Sequence, residues 1–135
     1  MSTLLGFDFG TRKIGIAVGQ TLTATANPLT TLPYVRQQPD WPAIAALIEE
    51  WRPQALVVGL PMEMTDKEAE IAPQARRFAR QLEGRFRLPV HLADERLTSR
   101  EAWRQLGKAA HQDPKRVDAV AAQLILETWL ERGED

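Results

Sequence analysis

Three carboxylates stand where an apolar chain does not ordinarily put them. Asp8 lies inside the first apolar run, Leu4-Leu5-Gly6-Phe7-Asp8-Phe9-Gly10-Thr11, and nothing in that run neutralises it. Read as a strand, the run points Asp8 the same way as Leu4 and Gly6. A buried, unpaired carboxylate costs several kcal/mol, so Asp8 either faces a cation, a metal or several donors, or caps the turn at Gly10-Thr11. Asp118 is the second such acid. Counted from Asp113-Pro114, it falls past the first helical turn, where the helix dipole favours carboxylates most, and shares a side with Ala121, Ala122 and Ile125. Its alternative is a boundary residue that reaches solvent or pairs with Lys115 or Arg116. Glu95 is the third, with Asp94 as rival, since both follow a short strand and sites in α/β sheets gather at carboxyl ends of parallel strands. Alternation groups His91, Ala93 and Glu95 on one side and Leu92 and Asp94 on the other.

The chemistry of such a trio is narrow. Oxygen donors with no cysteine and no clustered histidine suit Mg²⁺ or Mn²⁺ far better than zinc. Two hard cations about 3.5–4 Å apart can activate a water and stabilise the leaving oxygen of a phosphodiester. The backbone donors of Gly10-Thr11 and the side chains of Arg12, Lys13 and Arg96 are the residues placed to hold a phosphate, although Arg12 and Lys13 would serve equally well as an exposed turn.

The elements that must position these groups can be read in order. Lys13-Ile14-Gly15-Ile16-Ala17-Val18 alternates as a second strand, joined to the first by the short turn Gly10-Thr11-Arg12. A weaker third strand is expected from Ala26 to Leu32. Asp40 offers an N-cap to a helix whose face is Ile44, Leu47, Ile48 and Trp51, ending at Arg52-Pro53. Ala55 to Leu60 is apolar throughout, as a strand covered on both faces is, which places it at the sheet centre parallel to the first strand. Thr65 with Glu68 forms a capping box for a helix carrying Ile71, Ala75, Phe78, Ala79 and Leu82 inward and Arg76, Arg77 and Arg80 outward, with Gly84 as its stop. A strand over Pro89 to Leu92 follows, then a short helix from Thr98 to about Leu106, a loop over Gly107 to Gln112, and a last helix from Asp113-Pro114 with Val117, Val120, Ala121, Leu124, Ile125 and Trp129 on one face. This order predicts an α/β fold, a mixed five-stranded sheet of three antiparallel strands and then parallel ones, flanked by helices.

Composition sets the boundaries. With 135 residues, 44% hydrophobic and 26% charged, the chain is of a size and make-up for one globular domain over 1–135. The absence of cysteine excludes disulfides and thiolate metal sites. No apolar run approaches the ~20 residues of a membrane span, and no leader pattern opens the chain, so a soluble cytoplasmic protein is expected. The net charge of −1 conceals a segment, Ala72 to Arg116, with 11 Lys or Arg against 5 Asp or Glu. A polyanionic partner fits that segment, as does a merely solvated basic helix face.

Four short motifs carry a resemblance. Phe7-Asp8-Phe9-Gly10-Thr11 with Ile14-Gly15-Ile16-Ala17, then Val58-Gly59-Leu60-Pro61, Asp94-Glu95-Arg96-Leu97-Thr98-Ser99, and Val117-Asp118-Ala119-Val120-Ala121-Ala122 resemble the YqgF/RuvX family, in that order and over nearly the whole chain. The resemblance implies an RNase H-like fold related to the resolvase RuvC. It also implies a metal-dependent nuclease, assigned in bacteria to 5′-end maturation of pre-16S rRNA in ribosome biogenesis, with Holliday-junction resolution proposed for some members. By motif position the catalytic acids and metal ligands would be Asp8, Glu95 and Asp118. One departure is visible: after Gly59-Leu60-Pro61 the family commonly carries a glycine followed by Ser or Thr, whereas this chain has Met62-Glu63-Met64-Thr65-Asp66-Lys67.

The expected activity is therefore Mg²⁺- or Mn²⁺-dependent endonucleolytic cleavage of structured RNA, a pre-16S rRNA or pre-ribosome. Branched DNA is the alternative within the same chemistry. A non-catalytic RNA-binding assembly factor would use the basic segment alone. Asp8-Phe9-Gly10-Thr11 also resembles the first phosphate turn of actin-like ATPases and sugar kinases, but those bind ATP between two such domains, and 135 residues leave no room for the second.

Overall fold

The chain was analysed as a computed structural model, in which residues 2–61, 69–95, 104, 107–108 and 117–132 are described. The strands are β1 (Thr3–Phe9), β2 (Lys13–Gln20), β3 (Thr25–Pro33), β4 (Ala55–Leu60) and β5 (Val90–Asp94). The longer helices are α1 (Trp41–Trp51), α2 (Ala72–Phe86) and α3 (Val117–Arg132). They form one five-stranded sheet in the order β3-β2-β1-β4-β5, with β1-β2 and β2-β3 antiparallel and β1-β4 and β4-β5 parallel. The expected mixed sheet is present. β1 takes the middle position and β4 lies beside it, buried along its whole length.

Alternation along the strands sorts the apolar residues into two cores. Leu5, Phe7, Ile14, Ile16, Leu56 and Val58 pack on one face with Trp41 and Ile44 of α1 and Phe78 and Leu82 of α2. Leu4, Ala17, Val57 and Ala93 pack on the other with Ala122, Ile125 and Leu126 of α3. The second face is lined by small residues, which lets α3 come close to the sheet.

Local chemistry explains most boundaries. The carboxyl of Asp40 accepts a hydrogen bond from the Ala43 backbone N–H at 3.2 Å, the expected cap of α1. That helix ends on Arg52, whose left-handed φ of 46° lets its N–H bond the Ile48 carbonyl. α2 presents Ala75, Phe78, Ala79 and Leu82 inward as expected, yet it does not stop at Gly84. It continues to Phe86 and ends on Arg87 at φ 54°. Glycine there is solvent-facing and helical, so the packed Phe86, not the glycine, decides the length. Gly107 and Lys108, expected in a loop, are helical. The capping boxes at Thr65 and Thr98, the Met62 to Lys67 loop and the Asp113-Pro114 helix start lie outside the described residues.

Because β1, β4 and β5 are parallel, their carboxyl ends share one edge, and antiparallel β2 begins at that edge. Asp8, the residue after β5 (Glu95) and the first residue of β2 (Lys13) are thereby brought to one end of the sheet. No helix among the described residues is long and apolar enough to cross a membrane.

Candidate active site

Asp8 is the next-to-last residue of β1 and sits opposite Gly15 of β2. Its face is that of Leu4 and Gly6, which α3 covers. Glu95 follows β5 on the face of Ala93, and His91 on that same face stacks on Trp129 of α3 at 4.9 Å. Asp118 lies in the first described turn of α3. The alternation expected from the strands thus holds, and beneath α3 Asp8 comes within hydrogen-bonding reach of Glu95 and close enough to Asp118 to feel its charge.

Two glycines make this meeting possible. A Cβ on Gly15 would lie 1.9 Å from the Asp118 carbonyl oxygen, an impossible contact, so only glycine lets the start of α3 settle on β2. A Cβ on Gly59 would lie 2.8 Å from Glu95 Oε1 and 2.7 Å from Ile125 Cδ1, so Gly59 opens the space the Glu95 side chain fills. Both glycines stood inside motifs read from the sequence, but their role is a matter of distance, which no motif states.

The acids repel one another. Asp8 is pushed from 3.8 up to about 8, first by burial and then by the charges of Glu95 and Asp118, and its side chain is within hydrogen-bonding reach of Glu95. Glu95 is raised as well, mainly by burial, with the hydrogen bond to Asp8 opposing the shift and Asp94 adding to it. Raised in this way, the two carboxyls titrate as a coupled pair in which one proton between them is favoured. Between Asp94 and Glu95, it is Glu95 that stands beside Asp8. Asp94 closes β5 opposite Leu60.

Asp118 is held differently. Lys13 Nζ lies 3.0 Å from Asp118 Oδ2, with side-chain exposures of 54% and 23%. The contact is electrostatic and lacks hydrogen-bond geometry, because the buried Oδ2 has no hydrogen-bond partner. The attraction between the two charges depends on their separation and holds without hydrogen-bond alignment. Thr11 and Arg12 are exposed in the turn between β1 and β2, and Arg96 lies outside the described residues.

This donor set suits a hard divalent cation. It offers only oxygens, burial disfavours the charged forms of Asp8 and Glu95, with the charges of Glu95 and Asp118 adding to the shift of Asp8, and the buried Asp118 Oδ2 is met by the Lys13 amine alone among the described residues. Among the described residues, however, no three acidic or histidine side chains are already grouped tightly enough to surround one ion. Asp8 and Glu95 are closed on a proton and Asp118 on Lys13, so a cation would have to displace both.

Residues 2–132 match the profile of the RuvX family, described as a Holliday junction resolvase. A relative in Azotobacter vinelandii (strain DJ) is 51% identical over 130 residues, covering 94% of this chain and 92% of its own. One in Legionella pneumophila subsp. pneumophila (strain Philadelphia 1) is 49% identical over 139 residues, covering 96% of both. Both are provisionally named pre-16S rRNA nuclease. Among solved structures, Thermus thermophilus RuvC in complex with a Holliday junction substrate is similar at TM-score 0.62 and 15% identity, over 93% of this chain and 91% of that one. The Fowlpox virus resolvase bound to Holliday junction DNA is similar at TM-score 0.60 and 10% identity, over 96% and 97%. At such low identity the likeness is one of fold, that of the RNase H-like resolvases.

Proposed function

The chain belongs to the RuvX family, and from that membership we propose that it is a single-domain, cytoplasmic, Mg²⁺- or Mn²⁺-dependent endonuclease that hydrolyses phosphodiester bonds in the 5′ extension of pre-16S rRNA. Asp8, Glu95 and Asp118 are its catalytic acids and the ligands of a pair of divalent cations. The observation that carries this reading is that Asp8 is buried beneath α3 beside Glu95 and within the field of Asp118; burial first, and those two charges next, lift it to about 8. A fold keeps acids that close when a positive charge in the working state offsets their repulsion.

When bound, the cations would supply a lowered water pKa and a Lewis acid for the leaving oxygen. The chain's own groups do the rest. Asp8 and Glu95, once ionised by loss of a proton to solvent, would hold the cations through their carboxylate oxygens. Lys13 leaves Asp118 and becomes available to a substrate phosphate at the same edge. Thr11 and Arg12, exposed in the adjoining turn, would meet the substrate backbone near the carboxylates, and Arg96, next to Glu95 in the sequence, is the remaining candidate for a phosphate contact.

The test is cleavage of a 5′-extended pre-16S RNA by the purified protein with Mg²⁺ or Mn²⁺. Asp8→Asn should lose more than ~100-fold of the rate, because even partners one step removed from a metal cost 10–100-fold. Equal cleavage by the variant would refute the site. The family description and the resolvase fold favour a second substrate, a four-way DNA junction, and the same assay on that junction separates the two. Salt-sensitive RNA binding without cleavage under any divalent metal would instead mark an assembly factor.

A further inference from the structure

On the opposite face of the sheet, at the same end of β1, lies a cavity of about 360 Å³ that the carboxylate site does not use. It is at the small end of the ~300–1,000 Å³ typical of ligand pockets. Asp8 and Phe9 are neighbours in β1, so they point to opposite faces, and Phe9 forms part of this cavity's wall. Tyr34 forms another part. The Tyr34 hydroxyl donates to the Gly10 carbonyl at 2.6 Å and its backbone N–H donates to the Arg12 carbonyl at 2.9 Å. The cavity wall is therefore fastened to both ends of the turn that follows Asp8.

The remaining lining has a definite chemistry. Gln37, Gln38, Gln74 and Gln81 present four amides, each both donor and acceptor. Arg77 and Arg85 add two cations, the latter with its guanidinium 4.2 Å from the Trp41 ring centre. The described lining contains no carboxylate. The Arg77 side chain, expected from the sequence to belong to a uniform outer basic face, belongs to this cavity. Gln37 arrives by a strained route: Arg36 and Gln37 take φ of 53° and 65° between the paired residues Val35 and Gln38. Turns of this kind are ordinarily made by Asn-Gly or Asp-Gly, and two long side chains held there point to a use for the geometry.

Aromatic walls, amides that can read a base edge, and cations without any acid are the means by which proteins hold unpaired nucleotides. We propose that this cavity receives an unpaired base of the RNA strand whose neighbouring phosphodiester enters the carboxylate site, the strand passing round the Gly10-Thr11-Arg12 turn from one face of the sheet to the other. The inference rests on the nucleic-acid reading above and adds a determinant of where the strand is cut. Tyr34 and Phe9 flank the base, the glutamines meet its edge, and Arg77 and Arg85 meet the adjoining phosphates.

The experiment is a thermodynamic cycle on binding, carried out with Ca²⁺ in place of Mg²⁺ or Mn²⁺ so that its outcome does not depend on cleavage. The probe is a 5′-extended pre-16S RNA made abasic, one position at a time, at its unpaired nucleotides. With the wild-type protein one position should lose roughly tenfold in affinity, the size of one base stack. Gln38→Ala combined with Gln74→Ala, both at exposed positions, should lose a similar factor on the intact RNA and show no further loss on that abasic RNA. Unchanged thermal unfolding of the variant checks its fold. Losses that simply multiply, or no sensitive position at all, overturn the base pocket. A four-way DNA junction scanned in the same way tells whether the base belongs to DNA. If the cycle holds but Mg²⁺-dependent cleavage is absent, the nuclease reading fails and the pocket stands; if cleavage occurs without coupling, the reverse holds.

Discussion

Lys13 Nζ stands 3.0 Å from Asp118 Oδ2, across the gap between the first residue of β2 and the first described turn of α3. In the metal-free protein this amine occupies the position of positive charge that a divalent cation would take over. On the proposed metal role of Asp118, Lys13 and the cation would compete for the same carboxylate.

Lys13→Met should consequently bind Mn²⁺ several-fold more tightly by calorimetry, because it removes both the competitor and a like charge. Its effect on stability should be small, about 0–1 kcal/mol, since the amine is half exposed. RNA affinity should fall, with the dependence of log K on log salt reduced by about one phosphate contact. Unchanged Mn²⁺ affinity would show that the pair does not compete.

The pH dependence of stability carries a sign opposite to that of an ordinary salt-bridged acid. Asp8 has a pKa of about 8 when folded against 3.8 ordinarily, and Glu95 is shifted in the same direction. Between these values the folded protein keeps protons that the unfolded chain has released, so stability falls as pH rises from 3.8 towards about 8, and the effect vanishes below 3.8 where both states are protonated. Thermal unfolding of the metal-free protein, followed from about pH 5 to about pH 8, should show this decline. Saturating Mg²⁺ should flatten it by stabilising the ionised form.

Asp8→Asn should flatten the same profile without metal and lose the metal's stabilising effect. At the alkaline end the variant should be the more stable protein, by about 1–4 kcal/mol, as when a buried charge is exchanged for a neutral group of similar shape. Denaturant unfolding of the two proteins at about pH 8 makes the comparison. A less stable variant would mean that the ionised Asp8 has a favourable partner other than Glu95 in the fold.

Two glycine substitutions should fail in different ways. In Gly15→Ala the new methyl meets the Asp118 backbone at 1.9 Å, so α3 must lift and stability should drop by roughly 3 kcal/mol or more. In Gly59→Ala the methyl meets the movable end of Glu95 at 2.8 Å, and the fold should largely survive. Its cleavage rate should nevertheless fall by about 100-fold, the cost of moving a reacting group by an ångström. Urea unfolding and single-turnover cleavage on the same samples distinguish the two outcomes.

Much of this architecture was legible in the chain itself. Alternation in Leu4 to Phe9 and in His91 to Glu95 already put Asp8 and Glu95 on faces that the sheet then aligned, and the uniformly apolar Ala55 to Leu60 announced a strand covered on both sides. The Asp40 cap was equally plain, because a cap is a local hydrogen bond. Helix length was less so. Gly84 signals a stop only where the chain needs a left-handed residue, and Phe86, packed on Trp41 at 6.3 Å, carried the helix past it.

The amino-acid sequence determined the elements, their faces and the acids that break the apolar pattern, since those follow from periodicity and from the cost of burying charge. Tertiary structure decided that Glu95 comes within hydrogen-bonding reach of Asp8, that Lys13 meets Asp118, and that Arg77 joins four glutamines and four aromatic residues around one cavity. Those are distances between residues far apart in the chain. They come into being only when parallel strands end at one edge and small residues let α3 close on the sheet.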